Sequence, residues 1–318
     1  MKNKIKIKKI LITGGAGYLG SMITTNLVQK GYLVTVVDNL YFKKNFINHL
    51  KNNNNLIFIK DNVLKKKNLK KYIQNQDLII PLAALVGAPL CDKKKKLAVE
   101  LNYKIIRYIV GLLKRSQKII YPNTNSGYGI GKKNKFCTEK SPLNPISLYA
   151  KTKVQAEKCI LKHKNSISFR LATVFGVSYR MRSDLLVNNF VATALKDKNL
   201  KIFEPNFFRN FIHIKDIVRA FEFSIDNFDK LKNNIYNLGL STANISKIQL
   251  ARKIKKYLPN IKISVIDNFK DPDQRNYIVS NKKIETKGFK AKFSIEDGII
   301  ELISYFEKNN NKKIINNY

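Results

Sequence analysis

The strongest constraint on this chain lies at its N-terminal end. Lys9 to Gly20 reads Lys-Ile-Leu-Ile-Thr-Gly-Gly-Ala-Gly-Tyr-Leu-Gly, an apolar run that passes directly into glycines at 14, 17 and 20. Leu19, Met22, Ile23 and Leu27 then recur with the apolar rhythm of a helix. A second apolar run, Leu33 to Val37, ends on Asp38, 24 positions beyond Gly14. Glycine is needed where the backbone turns tightly and must approach a pyrophosphate closely, and the helix start that follows offers N–H groups to the anion. An acid closing the second strand suits the two ribose hydroxyls of NAD and repels the 2′-phosphate of NADP. A bare glycine turn in an ordinary βα unit would not require the whole series.

A second motif lies far downstream, at Tyr149 and Lys153 in Ser147-Leu148-Tyr149-Ala150-Lys151-Thr152-Lys153. Four residues apart on a helix, the two side chains share one face. Tyrosine ionises near pH ~10 in water, too high for a base, and an ammonium beside it favours the phenolate. Such a pair can take the proton of an alcohol as hydride leaves the same carbon.

Composition narrows the class further. The 318 residues are enough for one large or two modest domains. No apolar run reaches the ~20 residues a membrane span needs. Cys91, Cys137 and Cys159 are too scattered for a disulfide framework or a metal set, as are His49, His163 and His213. A cytoplasmic, metal-free protein is expected. The net charge of +38 would suit a nucleic-acid or membrane surface. Lysine, asparagine and isoleucine, however, rise together along the whole chain, as in Lys51 to Asn55, which favours compositional drift over a basic groove. Neither nucleic acid nor membrane is therefore the expected partner.

The fold class expected is α/β, a Rossmann-type doubly wound parallel sheet with a smaller C-terminal substrate-binding domain. Strands are predicted near 8–13, 33–38, 56–60, 77–82, 117–121 and 166–171, and helices near 17–30, 92–115 and 146–163. In the second of these helices Leu97, Leu101, Ile105, Tyr108 and Leu112 are expected to line one face. Residues 1–172 read as the dinucleotide-binding domain, with segments near 210–240 returning to it, and 173–318 mainly as the substrate-binding domain. A further helix is predicted around Ile245–Leu258. Asp216 reads as a helix N-cap, and His213 as a structural histidine in an apolar run.

These residues, with Pro81-Leu82-Ala83-Ala84, Arg170-Leu171-Ala172-Thr173-Val174-Phe175-Gly176, Arg209 to Asp216 and Tyr236-Asn237-Leu238-Gly239, resemble the extended short-chain dehydrogenase/reductases, in their nucleotide-sugar epimerase/dehydratase branch. The likeness covers nearly the whole chain. Leu82 to Pro89, Pro122 to Gly129 and Asp271 to Tyr277 are similar to a bacterial subgroup that includes GDP-heptose C4-dehydrogenases. The resemblance implies NAD held by Gly14, Gly17, Tyr18, Leu19, Asp38, Asn39, Leu82, Ala83, Ala84, Asn102 and Lys153, with Asp61 and Asn62 beside the adenine. It implies Tyr149 as acid/base, Lys153 as its orienting partner, and Thr124 on the sugar 4-oxygen. Asn125 and Ser126 would face the substrate. Arg209 and Arg275 would clamp its diphosphate, while Arg180 and Arg182 divide between substrate contact and solvated surface. Asp61 could equally be a turn residue. The implied partner is a nucleoside-diphosphate sugar, GDP favoured over UDP, bound by a homodimer, in surface-polysaccharide biosynthesis.

One departure bears on the reaction. Sugar 4,6-dehydratases carry Thr-Asp-Glu in the active-site loop, where this chain has Thr124-Asn125-Ser126. Neither an amide nor a free hydroxyl exchanges protons usefully at neutral pH. An epimerase or 4-dehydrogenase is expected, with a 4,6-dehydratase or a non-catalytic NAD-binding sensor as alternatives.

Overall fold

The computed structural model describes residues 7–42, 44–266, 275–309 and 316. Among them the strands run β1 (Lys9–Thr13), β2 (Leu33–Asp38), β3 (Leu56–Lys60), β4 (Leu78–Pro81), β5 (Lys118–Thr124), β6 (Phe136–Cys137), β7 (Ser166–Leu171), β8 (Thr173–Phe175), β9 (Asn199–Ile202), β10 (Phe208–His213), β11 (Asn234–Leu238), β12 (Asn244–Ser246), β13 (Lys262–Val265) and β14 (Ile278–Val279). The helices are α1 (Tyr18–Gln29), α2 (Lys66–Ile73), α3 (Ala88–Lys93), α4 (Lys95–Val99), α5 (Ile105–Leu112), α6 (Leu148–Ile160), α7 (Leu186–Asp197), α8 (Ile214–Asp226), α9 (Phe228–Leu231), α10 (Lys247–Tyr257), α11 (Lys282–Glu285) and α12 (Ile295–Lys308).

Seven strands form one parallel sheet in the order β11-β7-β5-β4-β1-β2-β3. Alternation along β1 explains its two covered faces. Ile10 and Ile12 pack with Ile23 and Leu27 of α1 and Ile217 and Phe221 of α8. Leu11 points the other way, into Ile73 of α2, Ile105 and Ile109 of α5 and Ile160 of α6. Buried on both sides, such strands are continuously apolar, as parallel sheets require. The strand order reverses between β1 and β4, the switch point where ligands bind beyond the strand ends. A second core gathers Phe175, Val191, Phe211, Leu250, Ile254 and Leu302 around the β12-β10-β8 sheet and α7, α10 and α12. The chain leaves the large sheet after β7 and comes back to it at β11.

Two expectations change. The single helix near 92–115 is instead α3, α4, a π-helical turn over Glu100–Lys104, and α5, with Lys94 out of helical geometry at φ −125° and ψ 53°. The residues buried there are Ala98, Asn102, Ile105, Ile106 and Ile109, whereas Leu97, Leu101, Tyr108 and Leu112 are only half covered. The amide of Asn102 is the physical reason. Its Oδ1 accepts from the Leu85 N–H and its Nδ2 donates to the Leu85 carbonyl, both at 2.9 Å, so a polar residue occupies the inward face. Second, the N-cap of α8 is His213 and not Asp216. The His213 Nδ1 accepts from the Lys215 N–H, leaving Nε2 to donate to Glu301 at 2.8 Å. Asp216, in the first turn, accepts from the Lys292 and Phe293 N–H groups and pairs with Arg219.

Below the β5 loop lies a buried polar knot. Glu157 of α6 pairs with Arg170 of β7 at 2.7 Å and accepts from Asn123 at 2.7 Å and Ser168 at 2.8 Å. Arg170 also donates to the Tyr128 hydroxyl, which donates to Asn237 of β11 at 2.6 Å. Removing one partner of a buried ion pair strands a charge and costs about 3–5 kcal/mol. Arg170→Met is expected to lower unfolding stability by that amount in chemical denaturation. The double change Glu157→Gln with Arg170→Met should lose clearly less than the sum of the single changes.

Candidate active site

The glycine loop follows β1. Gly14 has φ +74°, and a Cβ built there would lie 2.6 Å from the Ala83 nitrogen. Only glycine lets the loop pass this close to the end of β4. The loop is fixed by the Gly14 N–H donating to Val37 at 2.8 Å. Helix α1 then starts with Gly17 as N-cap, and no side chain caps its first amides. A groove that glycine keeps open, ending on an uncapped helix start, fits the diphosphate of a dinucleotide.

Asp38 closes β2 on the same cavity, where it accepts from the Ala16 N–H at 3.0 Å and the Leu40 N–H at 2.8 Å. Burial raises its pKa, and these two bonds and Arg180 oppose the rise. Asn39 and Asn62 line the wall but spend their side-chain oxygens on the Tyr41 and Leu64 amides. Asp61 also lines it, with its carboxylate engaged by Asn68, Lys65, Tyr72 and its neighbour's amide. Hydrogen bonds from Asn68 and Lys65 hold that carboxyl well below the usual range. Leu19, Leu82, Ala83 and Ala84 supply apolar wall. Asn102 is not brought to the cavity; it stands behind Leu85 and braces that loop. Tyr18 reaches the cavity, and its hydroxyl donates to the Gly176 carbonyl at 2.7 Å.

Tyr149 and Lys153 lie on α6, whose N-cap Ser147 accepts from the Ala150 N–H. Thr124 favours the ionised form of the Tyr149 phenol. Lys153 donates to the Pro122 carbonyl at 2.6 Å and sits 4.0 Å above the Tyr121 ring. The expected lowering of the phenol pKa is absent here. Burial pushes Tyr149 up to about 12, against Arg275, Arg182 and Thr124, and pushes Lys153 down to about 7, against Glu157. Desolvation disfavours both ions and is the larger effect at each group.

The loop after β5 is a short 3-10 turn over Asn125–Tyr128. Thr124 Oγ1 lies 2.8 Å from Ser126 Oγ, and Arg275 donates to the same serine. Asn125 is not brought to the cavity: it is buried, and neither amide atom has a partner among the described residues. Arg180, Arg182 and Arg209 are all buried, Arg182 being paired with Asp184. They are cavity residues and not solvated surface. Of the subgroup stretch Asp271 to Tyr277, positions 271–274 lie outside the described residues.

Together these groups enclose a cavity of about 660 Å³, within the usual range for a small-molecule site. Seven basic side chains line it, Lys44, Lys153, Arg180, Arg182, Arg209, Lys247 and Arg275, against the carboxylates of Asp38, Asp61 and Asp184. An excess of basic over acidic side chains of this kind suits an anionic ligand. Sequence reasoning missed Lys44, Lys247, Asp184 and Phe42. Lys247 opens α10, whose Ser246–Gln249 capping box is legible, but its arrival at the cavity depends on the non-local pairing of β10 with β12.

A Rossmann sheet, a glycine loop ending in Asp38 and a Tyr-x-x-x-Lys helix define an NAD-binding dehydrogenase/reductase fold. The chain matches the NAD dependent epimerase/dehydratase family over residues 10–239 and belongs to that family. It is an extended short-chain dehydrogenase/reductase of the nucleotide-sugar branch, with NAD as cofactor. It is 26% identical over 324 residues to UDP-glucuronic acid decarboxylase 1 of Xenopus tropicalis, spanning 98% of this chain and 75% of that one. It is 26% identical over 318 residues to ADP-L-glycero-D-manno-heptose-6-epimerase of Brachyspira hyodysenteriae, spanning 94% and 98%. In fold it is similar to the Bacillus cereus UDP-glucuronic acid 4-epimerase solved with UDP-glucuronic acid and NAD, at TM-score 0.83 and 24% identity over 94% of this chain and 99% of that one.

Because burial raises Tyr149, its phenol should stay protonated at pH 10 in protein without added nucleotide. Difference spectra between the native chain and Tyr149→Phe check this through the near-ultraviolet phenolate band. A phenolate already present at neutral pH would contradict the burial argument.

Proposed function

We propose that this chain oxidises C4 of a nucleoside-diphosphate sugar and does not dehydrate it. The observation that carries the reading is the distribution of carboxylates. Among the described residues, the cavity wall near Tyr149 offers hydroxyls and guanidinium groups, and each carboxylate of the cavity is engaged by donors. Asp38 and Asp61 are held by amides and other donors, and Asp184 by Arg182. Elimination of water needs a base for the C5 proton and an acid for the departing C6 hydroxyl. Thr124 and Ser126 supply neither, and Asn125 is not among the residues lining the cavity.

The residues that line the cavity support the following roles. Gly14, Gly17 and Asp38 would hold NAD, which supplies the hydride acceptor when bound. Thr124 orients the 4-hydroxyl toward Tyr149, and the phenol oxygen takes its proton. Lys153, anchored on Pro122, would serve as the orienting partner of that phenol and as a ligand of NAD. Arg209 and Arg275 bind the substrate diphosphate, for which a fork of donors is the natural match. The resulting 4-keto sugar leaves or is reduced from its other face to the C4 epimer. GDP-sugars are the first substrates to test, heptose among them, followed by UDP-sugars.

Tyr149→Phe is expected to lose ~10²–10⁴ in kcat while retaining NAD, as loss of a general base does. A near-normal kcat would mean that another group is the base. The mass of the product tests the reaction itself. A sugar lighter by two hydrogens, or an isomer of equal mass, agrees with the proposal. Loss of water refutes it. Loss of carbon dioxide would align the chain with its decarboxylase relative, whose name implies a substrate that already carries a carboxyl group.

A further inference from the structure

The segment Gly176–Asp184, which follows β8, is fastened to the dinucleotide half of the molecule. Ser178 donates to the Tyr18 carbonyl at 2.6 Å and lies 3.2 Å from the Ser21 hydroxyl. The Tyr18 hydroxyl returns a bond to Gly176. The Tyr179 ring stacks on His49 with centroids 4.1 Å apart, and His49 in turn meets Thr25 of α1 at 3.0 Å. This strap is thus tied to the helix that follows the glycine loop, although its chain belongs to the second half of the sequence.

The next residue on the strap is Arg180. Its guanidinium lies 3.6 Å from the centroid of Phe42, four residues beyond Asp38, and it is only 2% exposed. Its charge acts on Asp38. Arg182 and Arg275, by contrast, act on Tyr149. Arg180 therefore acts at the Asp38 end, while its neighbour Arg182 acts on both Arg180 and Tyr149. Burial and the neighbouring Arg182 lower the Arg180 pKa only to about 10, so it is cationic at neutral pH. A cation so placed, on an aromatic platform and facing the acid that suits a ribose, is set to meet the ribose-phosphate portion of a dinucleotide.

We propose that Arg180 is a cofactor-binding residue that closes the adenosine end of the NAD site, and not part of the substrate's diphosphate clamp. The strap then joins the two ligands' sites, holding NAD through Arg180 and facing the catalytic end through Arg182. The inference depends on NAD as cofactor and is independent of the reaction proposed above.

Calorimetric titration with NAD and with ADP-ribose, which lacks the nicotinamide, tests it on nucleotide-free protein. Loss of a charged hydrogen-bonding group corresponds to roughly tenfold to a hundredfold in affinity. Arg180→Ala should weaken both ligands by that factor. Phe42→Leu, which removes the platform and keeps an apolar side chain, should weaken both by a smaller factor. Should the Arg180→Ala chain fail to fold, Arg180→Lys replaces it, keeping charge but losing the planar fork, and should still weaken ADP-ribose more than twofold. Affinities within twofold of the native values in the folded arginine variant overturn the proposal. So does an effect confined to KM for the nucleotide sugar.

Discussion

The carboxylate of Glu157 is the point on which the catalytic half of the molecule depends. It lies one turn beyond Lys153 on α6 and binds Asn123 of β5 together with Ser168 and Arg170 of β7. Helix and sheet are thereby fixed where Tyr149, Thr124 and Lys153 must meet. The same ion pair reaches through Tyr128 to Asn237, so the edge strand β11 joins the arrangement. A buried pair of this kind contributes little net stability in general, but it tolerates few alternative packings. Here it sets the register of a helix against a loop on which the chemistry relies.

Electrostatics explains why the site is built in a cationic cavity. Burial alone moves Tyr149 and Lys153 toward their neutral forms. Proton abstraction from an alcohol needs the opposite, and the surrounding arginines supply part of the required field. Arg182 and Arg275 are sources of positive potential at the phenol.

Much of this was legible in the sequence. The runs around β1, β2 and β4 are mostly apolar, and the glycines, Asp38, Tyr149 and Lys153 lie in local patterns that physical chemistry reads directly. The π-helical turn was not legible, because Asn102 turns inward to hold Leu85, a partner 17 residues away whose need for hydrogen bonds leaves no periodic trace. Asp216 misled because any acid near a helix start resembles a cap; its partners, Lys292 and Phe293, are distant in sequence. Lys247 and Asp184 reach the cavity through pairing of short strands and an irregular strap. Neither leaves a mark of period two or 3.6.

The return of the chain at β11 has a consequence for how the molecule holds together. After β7 the backbone passes into the second core, comes back through α8 and β11, and leaves again for β12. The surface of α1 is covered by α8, and the edge of β7 by β11, both from beyond residue 172. A break in the chain there would leave an open, apolar strand edge and a bared helix face, the two surfaces most prone to wrong association. The two cores are interwoven and not strung in sequence, so each is obliged to fold in the presence of the other. The cleft is lined by residues from both sides of residue 172.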